Sequence, residues 1–218
     1  MVYIYGESGK QMKRCSICGQ KCGFFESYHK ECKIAMDATV SKMDAVLNEY
    51  KNGKLVDGKR EMINFVNSEP LYRVYLMKHI WAKDQIYNNE TTLYVVNLVN
   101  VSEWKNRCTM VRTGYRWERK PVWNPASTLL DDSADIVFTD KAVYLLLRGE
   151  ATMRYPYGKI VNIGYKEVGF MVSGQAFFDV KTTSPFPHRF SIWNKYDKEK
   201  TEKVNLVLSC ISGLGYVR

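Results

Sequence analysis

The N-terminal half of the chain repeats its apolar residues with the period of an α-helix. From Tyr28 onward, apolar positions recur at alternating steps of three and four residues, and Gly53 ends the pattern. The apolar stripe consists of Met36, Val40, Met43, Leu47 and Tyr50. The sequence therefore predicts a long amphipathic helix that packs this stripe onto the following helices. A docking groove for a partner is the alternative use of such a methionine-bearing face.

Two shorter helices are predicted next. The first covers Gly58–Asn67, and the second begins at Pro70, because proline is tolerated in a first helical turn. The second carries too many apolar residues to stand alone: Leu71, Val74, Tyr75, Met77, Ile80 and Trp81. His79 has no histidine or acidic partner at a catalytic spacing, so we interpret it as a surface or packed residue and not as a general base.

The second half of the chain has the pattern of short β-strands separated by turn residues. The predicted strands are Leu93–Val101, Cys108–Trp117, Asp135–Phe138, Ala142–Leu147, Ala151–Tyr155, Gly169–Val172, Ala176–Lys181 and Arg189–Trp193. The Asn-Pro-Ala-Ser segment at residues 124–127 predicts a loop.

A final helix is predicted at Lys198–Ser212. One face of this helix carries Val204, Val207, Leu208 and Ile211. A series of strands followed by one amphipathic helix favours a small antiparallel roll whose open end is covered by that helix.

Four residues near the N-terminus have the spacing of a metal site. Two residues separate Cys15 from Cys18, and Gly19 permits the tight turn that would direct both sulfurs to one point. His29 and Cys32 are three residues apart at the start of the first helix, so they share a face. Three thiolates and one imidazole close a tetrahedral shell and leave no open position. We therefore predict a structural Zn²⁺ in a treble-clef-like module, with a short hairpin through Phe24–Phe25.

Cys22 is a fifth candidate ligand, and we leave it out because its distance from Cys18 would require a different loop. The alternative to a metal site is a set of scattered buried thiols, or a disulfide in a secreted protein. No signal peptide is recognised at the start of the sequence, and four of the six cysteines fall within residues 15–32, so the metal site is favoured.

Composition limits the class of protein. The chain is 45% hydrophobic and 13% aromatic, enough for a sizeable core, yet it has no apolar run long enough to span a membrane. Its mean hydropathy is −0.34, and we expect a cytoplasmic protein. The formal net charge of +9 raises the expectation of an acidic partner, whether nucleic acid, anionic lipid or an acidic protein surface.

The densest basic segment is the candidate partner surface. Residues 105–120 contain six basic side chains and one acidic side chain, interleaved with aromatics. The candidate binding residues are Arg112, Tyr115, Arg116, Trp117, Arg119, Lys120 and Trp123. If one strand runs through Arg112 and Arg116, these two share a face and Tyr115, Trp117 and Arg119 share the other. The alternative is a half-buried strand with a solvated basic face.

No catalytic constellation is recognised in the sequence. It has no glycine-rich phosphate loop, no nucleophile with a paired histidine and no metal set with an open position. Asp131 and Asp132 are adjacent, while Asp135 and Asp140 flank one strand, and aspartates at turns usually bond to their own backbone. We therefore predict a protein that is not an enzyme.

The run from Asp135 to Tyr165 resembles the bacterial pleckstrin-homology-like (PH-like) modules related to GRAM domains. The resemblance rests on the Thr139-Asp140-Lys141 turn, the hydrophobic strand after it, and the tail Tyr155-Pro-Tyr-Gly-Lys-Ile160. The wider order is similar to a family of bacterial and phage proteins with an N-terminal zinc finger, a helical middle and this roll at the C-terminus. The resemblance implies an α+β fold with a zinc-finger module at 1–52, a helical segment at 53–90 and a PH-like roll with its C-terminal helix at 91–218.

Two functions follow as hypotheses. The favoured one is a non-catalytic, zinc-stabilised interaction protein that docks a protein partner through its PH-like domain, in a phage or phage-defence context. The alternative is a nucleic-acid-binding protein that uses the basic and aromatic strand at 105–123 and the basic zinc module. Lipid headgroup binding follows from the resemblance alone, and the segment Tyr155–Lys159 lacks the dense basic cluster that it requires. The oligomeric state is not predicted.

Overall fold

The structure is a computed structural model that describes residues 4–5, 11–23, 26–148, 152–167, 174–183 and 187–215. For residues 4–5, 11–12, 105–111, 113 and 117–126 it describes the backbone alone. The predicted hairpin through Phe24–Phe25 and the predicted strand Gly169–Val172 lie outside the described residues.

The helices begin and end close to the predicted positions. They are α1 (Lys30–Lys51), α2 (Gly58–Ser68), α3 (Pro70–His79) and α4 (Lys198–Ser212). Gly53 follows α1 with a φ of +71°, a left-handed conformation that glycine adopts without a steric penalty. The Asp57 side chain accepts a hydrogen bond from the backbone N–H of Arg60 at 3.0 Å, which caps the start of α2. The three predicted helical segments and the C-terminal helix are confirmed.

One stripe of α3 is buried. Tyr72, Leu76 and Ile80 are buried, at steps of four residues, whereas Met77 and Trp81 are about half exposed. A helix that is apolar on most of its sides carries no periodic signal that selects one face. The prediction that this helix does not stand alone named no buried face, and the sheet and α1 determine which stripe is covered.

Seven antiparallel strands form the C-terminal sheet, and two very short strands pair near the N-terminus. The short pair is β1 (Ile4–Tyr5) and β2 (Gln11–Met12). The sheet contains β3 (Thr92–Thr113), β4 (Arg116–Thr139), β5 (Ala142–Leu146), β6 (Met153–Pro156), β7 (Ile160–Lys166), β8 (Gln175–Val180) and β9 (His188–Trp193). Its strand order is β6-β5-β4-β3-β9-β8-β7.

The first two strands of the sheet form a hairpin much longer than the body of the sheet. β9 pairs with β3 only from Asn100 to Trp104, and β5 pairs with β4 only from Asp135 to Phe138. Beyond Trp104 the two hairpin strands pair with each other as far as Thr113 and Arg116. We call the two-stranded segment at residues 105–126 the basic ribbon. At roughly 3.3 Å per residue it extends about 30 Å past the last β3–β9 pair.

The predicted loop at residues 124–127 is wrong, because this segment lies within β4. The register between Lys105 and Arg107 jumps from Ala126 to Val122, so β4 carries extra residues at this point. Proline has no N–H to donate to a ladder and is tolerated in sheets at bulges and edges. The Asn-Pro signal is thus accommodated by a bulge in the strand.

A turn absent from the sequence prediction closes the ribbon. Thr113 pairs with Arg116, so Gly114 and Tyr115 are the two central residues of a hairpin turn. Gly114 has a φ of +63°, and a glycine with positive φ in the first central position is typical of a type II′ turn. Arg112 and Arg116 therefore lie on different strands, offset by one register position and so on opposite faces. The expectation that they share a face was wrong.

One hydrophobic cluster joins the helices to the sheet. It includes Met43 and Leu47 of α1, Met62 and Val66 of α2, Tyr72 of α3, and the inner positions of the strands and α4. Polar contacts add to this packing, since the Tyr50 hydroxyl donates to the Ser209 carbonyl at 3.1 Å. The α+β architecture of N-terminal helices, an antiparallel seven-stranded sheet and a closing C-terminal helix is confirmed. Within the part of the chain that the structure describes, no helix is both long and apolar enough to cross a membrane.

Candidate metal centre and partner surface

A tight turn in a small hairpin presents the first two cysteines. The Cys15 backbone N–H donates to the Gln20 carbonyl at 2.7 Å, and the Gly19 N–H donates to the Cys15 carbonyl at 2.9 Å. Gly19 has a φ of +75°, the left-handed conformation that the predicted knuckle requires. Arg14 and Lys21 form an antiparallel bridge that closes the hairpin. The local sequence thus places Cys15 and Cys18 on the same turn.

The other two candidate ligands lie at the start of α1. His29 precedes the first helical residue, and Cys32 follows it within the first turn. The four ligand atoms of Cys15, Cys18, His29 and Cys32 lie within 4.8 Å of one another. The structure therefore brings together the set that the spacing predicts, from two segments separated in sequence.

The histidine ring is oriented toward the sulfurs by a backbone contact. His29 Nδ1 lies 3.4 Å from Cys18 Sγ and 3.7 Å from Cys32 Sγ. His29 Nε2 lies 2.8 Å from the Lys21 carbonyl and donates to it, which leaves Nδ1 as the ligand atom. A second hydrogen bond of this kind fixes the tautomer and the ring orientation of most metal-binding histidines.

The separations fit a tetrahedral ion. With zinc–sulfur bonds of about 2.3 Å and zinc–nitrogen bonds of about 2.0–2.1 Å, the sulfur-to-nitrogen edges of a tetrahedron are about 3.5 Å. The two measured edges, 3.4 and 3.7 Å, bracket that length. Three sulfurs and one nitrogen leave no ligand position for a substrate or water, so the cluster suits a structural ion.

Backbone N–H groups favour the ionised form of the most buried ligand. Burial opposes ionisation of the Cys15 thiol, but backbone N–H groups of Cys18, His29 and Ile17 together lower its pKa to about 6. The His29 N–H lies 3.4 Å from the sulfur and the Ile17 N–H 3.5 Å. Because hydrogen bonds to the charged form stabilise it, these contacts favour the thiolate of Cys15, which is the form that binds a cation.

Cys32 shows the opposite tendency in the absence of an ion. Burial, together with its contacts to the sulfurs of Cys18 and Cys15, raises the pKa of Cys32 to about 11. The Lys21 carbonyl, followed by the Cys18 sulfur, raises the pKa of His29. A bound cation supplies the positive charge that these sulfurs lack, so its binding releases protons from the cluster.

Cys22 and the hairpin are engaged in other contacts. The Cys22 thiol donates to the Glu26 carbonyl at 3.1 Å and lies outside the four-residue cluster. The module is tied to α3 through Lys78 Nζ, which donates to Ser16 Oγ at 2.9 Å. None of the five cysteines whose side chains the structure describes is in a disulfide. The alternative of a disulfide in this segment is not supported.

The predicted partner residues all lie on the basic ribbon. Arg112, Tyr115 and Arg116 cluster at its tip and are exposed, with Tyr115 at 99%. The Arg112 guanidinium donates to the Gly114 carbonyl at 3.2 Å. Trp117, Arg119, Lys120 and Trp123 belong to β4, and their side chains lie outside the described part of the chain. The tip residues are therefore accessible to a partner.

The hairpin turn and the contacts around the ligands were not predicted from the sequence. The signal for the turn was the Thr-Gly-Tyr-Arg segment, in which Gly114 can adopt a positive φ. No sequence signal predicts the contact between His29 and the Lys21 carbonyl or the Lys78–Ser16 contact, because each depends on how two segments of the chain pack together.

The strand order and the terminal helix, together with the three-cysteine and one-histidine cluster, define a PH-like roll that carries an N-terminal candidate metal module. No family model and no curated protein matches the chain. Among solved structures, a chain of the 8S snRNP assembly intermediate is similar, with a TM-score of 0.40 and 6% identity over 56% of this chain and 83% of that one. The Vps36 N-terminal PH domain is also similar, with a TM-score of 0.42 and 8% identity over 59% and 83%.

Proposed function

We propose that the protein is a non-catalytic, zinc-stabilised interaction protein that docks a protein partner through the basic ribbon of its PH-like roll. The observation that carries the proposal is the ribbon itself, which extends past the sheet and has exposed arginine and tyrosine side chains at its tip. Arginine and tyrosine are enriched among the residues that dominate binding energy at interfaces.

Zinc is the ion that the cluster suits best. Three thiolates and an imidazole in a closed tetrahedron are typical of structural zinc, and the measured edges support this assignment. Cys15, Cys18, His29 and Cys32 would hold the ion, which would stabilise the hairpin against the start of α1. In this proposal the ion has a structural role and takes no part in chemistry.

Replacing Arg112, Arg116 and Arg119 together by alanine should abolish capture of the native partner and leave the fold intact. Surface substitutions shift the free energy of unfolding by less than about 0.5 kcal/mol each, so the melting temperature and the zinc content should stay near those of the parent. The measurement is recovery of the partner with tagged protein from its native cells, alongside a thermal melt.

A matched control removes three positive charges elsewhere. Lys54, Arg73 and Lys166 are exposed and lie outside the ribbon, so their triple alanine variant has the same net charge as the ribbon variant. This control should retain the partner. If both variants lose it, net charge alone explains binding; if both retain it, the ribbon is not the docking surface and the basic zinc module becomes the next candidate.

Nucleic acid is the second candidate partner, and the shape of the ribbon favours it. The major groove of a DNA duplex admits a two-stranded β-ribbon, and this ribbon carries six basic residues against one acidic residue. Binding by phosphate contacts would weaken steeply with added salt. Retention of the protein on non-specific duplex at low salt, lost in the ribbon variant and kept in the control, would support this candidate over a protein partner.

The biological setting stays a prediction. A phage or phage-defence context and a relation to GRAM domains rest on the sequence resemblance. The division into modules at 1–52, 53–90 and 91–218 is likewise proposed, as is the absence of catalysis.

A further inference from the structure

Among the described residues, one edge of the basic ribbon has no strand paired with it. Residues 105–113 of β3 pair with β4 on one side, and no other strand of the described residues pairs with them on the other. A strand edge of this kind presents a row of unpaired N–H and C=O groups to any extended chain that approaches.

The neighbouring strand stops for a reason visible in the sequence. β9 begins at His188, directly after Pro187, and its last pair along β3 is Arg189 with Trp104. Proline has no N–H to continue a ladder. Beyond Trp104, the edge of β3 that faces β9 therefore has no ladder partner among the described residues.

The other edge of the ribbon differs in its backbone. β4 is interrupted there by Pro121 and Pro125, and prolines and bulges are features that block strand addition. Within the ribbon, residues 116–126 of β4 carry three basic residues and one acidic residue. Residues 105–113 of β3 contain no proline and no acidic residue, and their charged residues are Lys105, Arg107 and Arg112. The edge that is open to pairing therefore carries positive charges and no negative charge.

A second copy of the same chain does not suit this edge. Pairing two ribbons edge to edge would bring three positive charges of one copy, Lys105, Arg107 and Arg112, alongside the same three of the other. Positive charges brought together without any negative charge repel one another. Charge complementarity instead favours an acidic strand from a different protein.

We propose that the β3 edge at residues 105–113 accepts an extended, acidic segment of the partner protein as an added β-strand. Main-chain hydrogen bonds would supply affinity, and the basic residues of the edge would select acidic side chains. This inference rests on the proposed function, since it assigns the binding mode and the chemical class of the partner at the same ribbon.

The test uses the full-length, zinc-loaded protein and two fluorescent peptides of nine residues, the length of the open edge. Both peptides alternate glutamate and threonine, and one is N-methylated at every residue. The two carry the same charges, but the methylated peptide has no backbone N–H to donate. The unmodified peptide should bind at least about tenfold more tightly, because each lost hydrogen bond weakens the complex.

Hydrogen exchange gives a second readout that charge attraction alone would not produce. In a strand, successive N–H groups point to opposite sides, so alternate amides of residues 105–113 should gain protection when the unmodified peptide binds. Equal binding of both peptides, no binding of either, or protection without this alternation would overturn strand addition. Strand addition would also be overturned if a DNA duplex displaced the peptide and the hydrogen exchange of these amides did not change.

These outcomes separate the inference from the proposed function. If native partner capture depends on Arg112, Arg116 and Arg119 but the peptides bind alike, the ribbon remains the docking surface and strand addition is wrong. If the triple alanine variant captures its partner normally, the proposed function itself fails.

Discussion

Purified protein should contain one zinc per chain, and the Cys18→Ser variant should contain almost none. Cys18 Sγ lies 3.4 Å from His29 Nδ1 within the four-ligand cluster, and a serine hydroxyl is a much poorer zinc ligand than a thiolate. In zinc-finger peptides the ion contributes about 10–16 kcal/mol of apparent binding free energy, much of which is folding free energy. Elemental analysis of both proteins after dialysis against a weak chelator measures the difference directly.

Cys22→Ser is the matched control for this experiment. It removes a thiol from the same hairpin, but Cys22 donates to the Glu26 carbonyl and lies outside the cluster, so the variant should keep its zinc. Loss of zinc from the Cys22 variant with retention in the Cys18 variant would reverse the assignment of ligands. One equivalent of iron in place of zinc would leave the ligand set standing and change the identity of the metal.

The candidate metal site could be predicted because its information is local. Cys15 and Cys18 lie on one turn whose geometry depends on Gly19, and His29 and Cys32 lie at one helix start. The two pairs of ligands must also meet at one point, and this depends only on the path of the segment that connects them. Three thiols and an imidazole within one short segment suit few arrangements other than a tetrahedral metal site, so the ligand types limit the possible paths.

The long hairpin could not be predicted in the same way. A proline usually interrupts a strand, so Asn124 and Pro125 indicated a loop, and nothing local shows that a bulge can absorb them. The turn at Gly114 was not predicted either. The β pattern continues without a break through Trp117, and this favoured one strand over two strands joined by a turn. How far a hairpin extends past its sheet depends on where the neighbouring strands end, which is a property of the whole fold.

The helical faces show a third limit. The stripe of α1 was predicted correctly at Met43 and Leu47, since one face of that helix is clearly more polar. α4 was predicted to bury one face, and the predicted four aliphatic residues are buried, but Leu206 and Cys210 are buried as well. Cys210 Sγ lies 3.7 Å from Met62 Sδ of α2, so the helix is covered by the sheet on one side and by α2 on another. Periodicity cannot show a second covering layer.

Removing residues 198–218 should unfold the roll. Val204, Val207 and Leu208 are fully buried, and Ile211 is 4% exposed. Burying each such side chain contributes roughly 1.5–3 kcal/mol, which for these four is comparable with the whole stability of a typical domain, about 5–15 kcal/mol. Loss of a cooperative thermal transition in the truncated chain is the expected result.

A point variant tests the same contact without deleting backbone. Val207→Asp would place an unpaired carboxylate between the sheet and the helices, where burial without a partner costs several kcal/mol. Glu199→Ala alters an exposed position in the first turn of the same helix and should change the free energy of unfolding by no more than about 0.5 kcal/mol. A truncated chain or a Val207 variant that melted cooperatively near the parent temperature would show that the sheet holds its shape without α4. The hairpin and α1–α3 would then be the elements that stabilise the strands, and the fold would not require the terminal helix.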